Sequence, residues 1–208
     1  MKNFAKASAA VAVFAMLASC ASTSDYEKPD VKVATGSIEP GTSVMRGTTS
    51  VPLHKGSIVV GKPLPDAVLA DAKFSDAKLG GPGPVRLVSV VPSIDTKVCE
   101  AQTHELGESP GIDPKVSRIT VSRDLPVAQR RFAEEAKLTN VNYLSDYRSG
   151  SFGKATGLLM TGSELLARAV FVLDQNGVVR YLQVVPDVTQ LPDMPAAIAA
   201  ANRLATAQ

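Results

Sequence analysis

Cysteine is nearly absent from this chain: two in 208 residues, Cys20 and Cys99. That rules out Cys-x-x-Cys dithiol chemistry and any cysteine-rich metal fold. There is no Trp, and aromatics make up only 5 % of residues, too few to build stacking platforms for unpaired bases. Neither sign of charge dominates, with 22 Lys and Arg against 20 Asp and Glu, so no field draws the chain to nucleic acid. Histidine is limited to His54, in a predicted turn, and His104, five positions past Cys99 and off its helix face. No metal site and no other cofactor is expected from such a set. "GSFGKAT" (150–156) falls short of a phosphate loop because Arg148 stands at the first glycine position and Ala155 follows the lysine. "TGSEL" (161–165) does not complete a hydrolase elbow.

Long hydrophobic runs are missing too. The largely apolar stretch Ala7–Ala18 is shorter than the roughly 20 residues that span a bilayer. With Lys2 and Lys6 before it, it reads as a secretory leader. It ends in Leu17-Ala18-Ser19-Cys20, which resembles a bacterial lipoprotein cleavage box; a plain signal peptide cut nearby is the alternative. The resemblance implies cleavage after residue 19 and lipidation of Cys20, with several acyl chains giving a stable anchor. The mature chain would then carry 20 basic and 20 acidic residues. The expected location is the cell envelope, lipid-anchored at the periplasmic face. Ala21 after the cysteine favours the outer membrane over the inner by analogy with enterobacterial sorting. Exported in this way, with Cys20 lipidated, the chain keeps Cys99 as its only thiol.

Hydrophobic content of 45 % supports a core of ordinary size. Residues 20–45, rich in Ser, Thr, Pro and Gly, read as a lipidated cysteine followed by a flexible tether. The folded domain is expected over 46–208, opening with a β-hairpin that turns around His54-Lys55-Gly56. One strand's worth of pattern is expected within 62–84, between Pro and Gly punctuation. Strands then alternate with helices: "VRLVSVV" (85–91), a helix over about 97–108, "VSRITVS" (116–122), a raggedly apolar helix over 125–138, "VNYLS" (141–145) and a short helix near 152–156. "RAVFVLD" and "VVRYLQVV" flank Asn176-Gly177, a strong hairpin signal. An Ala-rich helix over 193–207 closes the chain. This order predicts an α/β fold with a mixed central sheet flanked by helices.

In that frame Cys99 lies in the first turn of a helix, where unpaired N–H groups favour negative charge. A thiol of ordinary pKa, about 8.5, is about 3 % thiolate at pH 7, against about 90 % for one near 6. Thr96 is placed to cap the helix and turn its hydroxyl toward the sulfur, and Pro92 fixes the loop before it. A buried structural cysteine is the plain alternative.

Pro92-x-x-x-Thr96-x-x-Cys99 is similar to the signature of the peroxiredoxins, and "PSIDTKVC" resembles its thiol peroxidase subfamily. "SRDLPVAQRRF" (122–132) and "LLARAVFVLD" (165–174) agree at the expected distances, so the resemblance spans about residues 46–205. It implies a thioredoxin-like fold and a peroxidase that reduces hydrogen peroxide and alkyl hydroperoxides. Cys99 matches the peroxidatic cysteine, Thr96 the hydroxyl contacting sulfur and peroxide, Pro92 the shielding proline and Arg168 the arginine over the thiolate. A homodimer is implied as well. Lys97 stands where small residues are usual, either lowering the thiol pKa or simply solvated.

One element departs from the family. The resolving cysteine that follows "AQSRF" is replaced here by Ala133. That leaves a 1-Cys route, with the sulfenic acid reduced by an external thiol or a thioredoxin-like partner. A non-catalytic or peroxide-sensing envelope lipoprotein is the second reading.

Overall fold

The structure, a computed structural model, describes residues 26–207. The leader and Cys20 lie outside the described residues.

Seven strands form the central sheet. In chain order they are β3 (Leu69–Ala70), β4 (Asp76–Ala77), β5 (Arg86–Val90), β6 (Ser117–Ser122), β7 (Asn142–Ser145), β8 (Ala169–Leu173) and β9 (Val179–Val184). In space the order is β4-β3-β7-β6-β5-β8-β9. β5 pairs parallel with β6 and antiparallel with β8, making the sheet mixed. Four helices flank it: α1 (Lys97–Glu108), α2 (Pro126–Glu135), α3 (Ser151–Thr156) and α4 (Met194–Thr206). A separate hairpin pairs β1 (Ser43–Arg46) with β2 (Thr49–Pro52).

The central strands are buried on both faces, as their unbroken apolar runs predict. Side-chain alternation divides them between two cores. Leu87, Val170 and Val172 pack with Leu106 of α1 and with the Ala face of α4. Val88, Val90, Phe171 and Leu173 turn the other way, onto Phe152 of α3 and the loop residues Ile58, Leu64 and Leu79. The β8–β9 turn is held by Asp174, whose Oδ1 accepts the Asn176 and Val178 N–H groups at 2.9 Å each. Gly177 takes the positive φ (+77°) that this turn requires.

Three expectations are corrected. The hairpin turns at Gly47-Thr48, not at His54–Gly56, and Ser57–Val60 form no strand. Gly56 instead passes so close over α3 that a Cβ there would lie 2.0 Å from the Lys154 carbonyl oxygen. The tether expected over 20–45 ends well before 45, because β1 begins at Ser43 and the chain ahead of it is bonded to the domain. Ala34 N–H donates to Leu191 O (2.8 Å) and Ile38 N–H to Val184 O (3.0 Å). Gln183 Nε2 donates to the carbonyls of Ala34 and Gly36. These contacts cover part of the β9 edge, which would otherwise present unpaired backbone groups. The 62–84 stretch holds two short strands, β3 and β4, rather than one.

Candidate active site

β5 delivers the chain into the loop Val91–Thr96, and α1 leaves it. Asp124, on the loop between β6 and α2, pins this turn. Its Oδ1 accepts the Ser93 hydroxyl at 2.7 Å and its Oδ2 the Ile94 N–H at 2.8 Å. Pro92 is half-buried at the loop's start.

Thr96 occupies the N-cap position with extended backbone angles (φ −133°, ψ 143°), but its side chain makes no capping bond. The exposed hydroxyl donates to Ser93 O at a weak 3.4 Å. It is not turned onto the sulfur, contrary to the expectation from sequence. A side-chain bond to the preceding turn competes with capping in short polar residues. Lys97 is exposed at the first helical position.

Cys99 is the third residue of α1 and 0 % exposed. Val91, Ile94 and Phe132 form its apolar surroundings. Arg168, one residue before β8, reaches it from across the fold and is itself 2 % exposed. Nη2 donates to Cys99 Sγ at 3.4 Å, Nη1 to Gln102 Oε1 at 2.8 Å, and Nε to Val188 O at 2.9 Å. Among the described residues no carboxylate pairs with this guanidinium. A buried cation without a counter-ion is costly, and of its three acceptors only the sulfur can carry negative charge. The site therefore combines a helix N-terminus, a planar cation and a dry apolar wall around one sulfur. Such a sulfur can act as a nucleophile toward an electron-poor atom whose leaving charge the arginine and nearby N–H groups would accept.

Of the residues singled out from the sequence, Arg168 is brought onto Cys99, whereas Pro92 stands at the start of the loop before α1 and Thr96 at its N-cap with its hydroxyl on Ser93 O. Sequence reasoning missed two residues. Gln102 holds Arg168 and is itself fixed by donating to Ser89 Oγ (2.8 Å) and Ala169 O (3.2 Å). Its signal was the i, i+3 spacing from Cys99, which puts both side chains on one helix face. Asp124 carried no such local signal, since its partners are thirty residues away.

His54 Nε2 lies 3.5 Å from Glu164, and among the described residues no cluster of three metal-ligating side chains occurs. Ala133 is buried on α2.

A redoxin family model matches residues 59–198. A thiol peroxidase of Halalkalibacterium halodurans is 46 % identical over 134 residues, 64 % of this chain and 78 % of that protein. One from Staphylococcus aureus strain COL is 43 % identical over 152 residues, 72 % and 92 % of the two chains. Among solved structures, a peroxiredoxin-like protein from Aquifex aeolicus superposes with a TM-score of 0.74 at 32 % identity. That match covers 80 % of this chain and 99 % of the other. A thiol peroxidase from Chromobacterium violaceum shares the fold, with a TM-score of 0.68 at 22 % identity over 80 % and 98 % of the chains.

Proposed function

The chain belongs to the redoxin family as a peroxiredoxin of the thiol peroxidase kind, an enzyme that reduces peroxide through a cysteine, and from that premise we propose a one-cysteine route centred on Cys99. The Cys99 thiolate attacks the terminal oxygen of hydrogen peroxide or an alkyl hydroperoxide. A sulfur–oxygen bond forms as the O–O bond breaks. Sulfur gives up two electrons and becomes a sulfenic acid, while the peroxide leaves as water or an alcohol after taking up a proton. The observation that carries this reading is the contact of Arg168 Nη2 with Sγ at 3.4 Å between two buried side chains. The same guanidinium can follow charge as it moves from sulfur to the leaving oxygen.

Pro92 shields the sulfenic acid from the solvent side. Thr96 contacts the incoming peroxide, a role that requires its hydroxyl to leave Ser93 O. The bond it breaks is long and weak, so the rotation costs little.

The second half of the cycle needs an outside thiol. Ala133 fills the family's resolving position, and Cys99 is the free cysteine among the described residues. Two equivalents of external thiol, or a thioredoxin-like dithiol, return the sulfenic acid to thiol, releasing water and a disulfide. Export, lipidation of Cys20, a periplasmic-face position favouring the outer membrane, and a homodimer complete the reading, supported by the leader and the family resemblance.

The test is consumption of hydrogen peroxide and an alkyl hydroperoxide with a small dithiol, wild type against Cys99→Ser. Turnover by wild type and none above background by the variant is expected. Equal rates would sink the catalytic reading and leave peroxide sensing.

A further inference from the structure

The loop that leads from β5 into the Cys99 helix has few bonds to hold it. Val91 N–H donates to Val121 O at 3.0 Å, and Glu100 N–H donates to Thr96 O at 2.9 Å as α1 begins. Thr96 does not cap the helix with its side chain, and its hydroxyl stays within the loop, on Ser93 O. Among the described residues, residues 92–96 are tied to anything outside the loop and α1 by two hydrogen bonds alone, both accepted by the Asp124 carboxylate. Asp124 itself is anchored to the sheet. Its N–H donates to Ser122 Oγ at 3.3 Å, and its carbonyl accepts the Ser145 hydroxyl, at the ends of β6 and β7. Ser122 Oγ also accepts Gln129 Nε2 of α2, at 2.9 Å.

This carboxylate joins the two walls of the site. Cys99, 0 % exposed, is enclosed by Val91 and Ile94 on the loop side and by Phe132 of α2. Asp124 stands on the connection that enters α2, and its Oδ2 holds the N–H of that same Ile94. Both of its bonds to the loop are part-buried, so water can take over each partner when they separate, and the net cost of parting is modest. The Arg168 bonds lie among buried groups and lack that exchange. The wall is therefore built to open at Asp124 and to stay fixed at Arg168.

The two half-reactions ask different things of it. Peroxide brings one small oxygen to the sulfur. A thiol must bring a sulfur and its carbon chain to Cys99 Sγ, in line with the departing oxygen. A sulfur shut in by Val91, Ile94 and Phe132 offers no such line.

We propose that Asp124 is a positioning residue, the latch of this wall: bonded to Ser93 and Ile94 it holds Cys99 in place for peroxide, and released from them it admits the external thiol. This rests on Cys99 being peroxidatic and on resolution by an outside thiol. The admitted thiol forms a sulfur–sulfur bond to Cys99 as the sulfur–oxygen bond breaks and the oxygen leaves as water. A second thiol then takes up the partner sulfur as a disulfide and returns Cys99 to its thiol.

The test follows the two half-reactions separately, in single turnovers of the whole protein. Reduced protein is mixed with hydrogen peroxide; in a second series, protein oxidised by one equivalent is mixed with dithiothreitol. Intact mass of quenched samples reads both. Asp124→Asn puts an amide N–H where Ile94 N–H needs an acceptor, and Ser93→Ala removes the 2.7 Å bond alone. A hydrogen bond to a charged group shifts the balance of closed and open forms about tenfold or more. Reduction by dithiothreitol should therefore quicken about tenfold in Asp124→Asn and about threefold in Ser93→Ala, while the peroxide step slows by up to about threefold. Circular dichroism melts report whether each variant folds, and Ser93→Ala decides alone if Asp124→Asn does not. A slower peroxide step with no gain in reduction makes Asp124 merely structural and overturns the latch, as does reduction at the wild-type rate in the folded variants; both leave the peroxidase standing. A wild type whose Cys99 gains no oxygen from peroxide overturns the chemistry beneath it instead.

Discussion

Replacing Arg168 by alanine separates chemistry from folding. In the folded protein its Nη2 lies 3.4 Å from Cys99 Sγ. At an effective dielectric of about 20, unit charges at that distance attract by about 5 kcal/mol, an upper bound. Water entering the vacated space reduces this, and single preorganised donors removed from comparable sites cost about 2.7–4 kcal/mol. The second-order rate of Cys99 with hydrogen peroxide should therefore fall about 10²–10³-fold. Stability should respond less. Loss of the guanidinium strands Gln102 Oε1 and Val188 O, at about 1–3 kcal/mol each, but it also removes a buried cation that is costly to desolvate. These terms oppose each other, so the net loss should stay within about 3 kcal/mol, a Tm shift below about 12 °C. Arg168→Lys keeps the charge but not the fork, and one ammonium cannot serve three acceptors in one plane. It should lose about tenfold or more. Stopped-flow rates with hydrogen peroxide, paired with melts by circular dichroism, read both quantities. A folded Arg168→Ala protein reacting within about threefold of wild type would refute the electrostatic argument.

Three further outcomes follow from other parts of the fold. Burial pushes the Asp174 carboxyl up, but the Val178 N–H, the Arg180 guanidinium and the Asn176 N–H outweigh it and hold the group below its ordinary value. Its stabilising contribution is therefore present above about pH 4 and lost as pH falls through the lower folded value. Asp174→Ala should cost about 1–3 kcal/mol at pH 7, with the gap to wild type closing below about pH 4; a gap independent of pH would count against it. A Cβ on Gly107 would sit 2.6 Å from Leu138 Cδ2 and 3.3 Å from Val141 Cγ2. Gly107→Ala should thus destabilise by about 1–3 kcal/mol in a denaturant melt, and a neutral result would show that Leu138 yields freely. Ala133→Cys, which restores the family's resolving thiol, should let peroxide convert the protein to an intramolecular disulfide and slow overoxidation. Non-reducing peptide mapping after peroxide reads this, and no disulfide would mean α1 and α2 cannot open far enough to join the two sulfurs.

What the sequence disclosed tracks how local its causes are. The bounds of α1 at Lys97–Glu108 and the Asn176-Gly177 turn were legible because helix start, period and turn chemistry lie within a few residues of one another. Arg168 was legible through its motif, although its contact with Cys99 crosses 69 positions. Gln102 and Asp124 were not, because a polar residue gives no local sign that its partners are buried or distant. The segment before Ser43 misled for the same reason. Its attachment runs through backbone bonds and Gln183 rather than through a periodic apolar face, so its Ser, Pro and Gly composition looked like a linker. The first hairpin was displaced because "HKG" and "RGT" both carry turn residues, and only the passage of Gly56 over α3 decides between them.

The central claim is that Cys99 alone reacts with peroxide and that no second thiol in the chain resolves it. The most direct measurement is the intact mass of the reduced protein after one equivalent of hydrogen peroxide, with and without a dimedone trap. The account predicts a gain of one oxygen, mapped to Cys99, that dimedone captures and that a small thiol reverses. An unchanged mass, or a loss of two hydrogens from an internal disulfide, would contradict it.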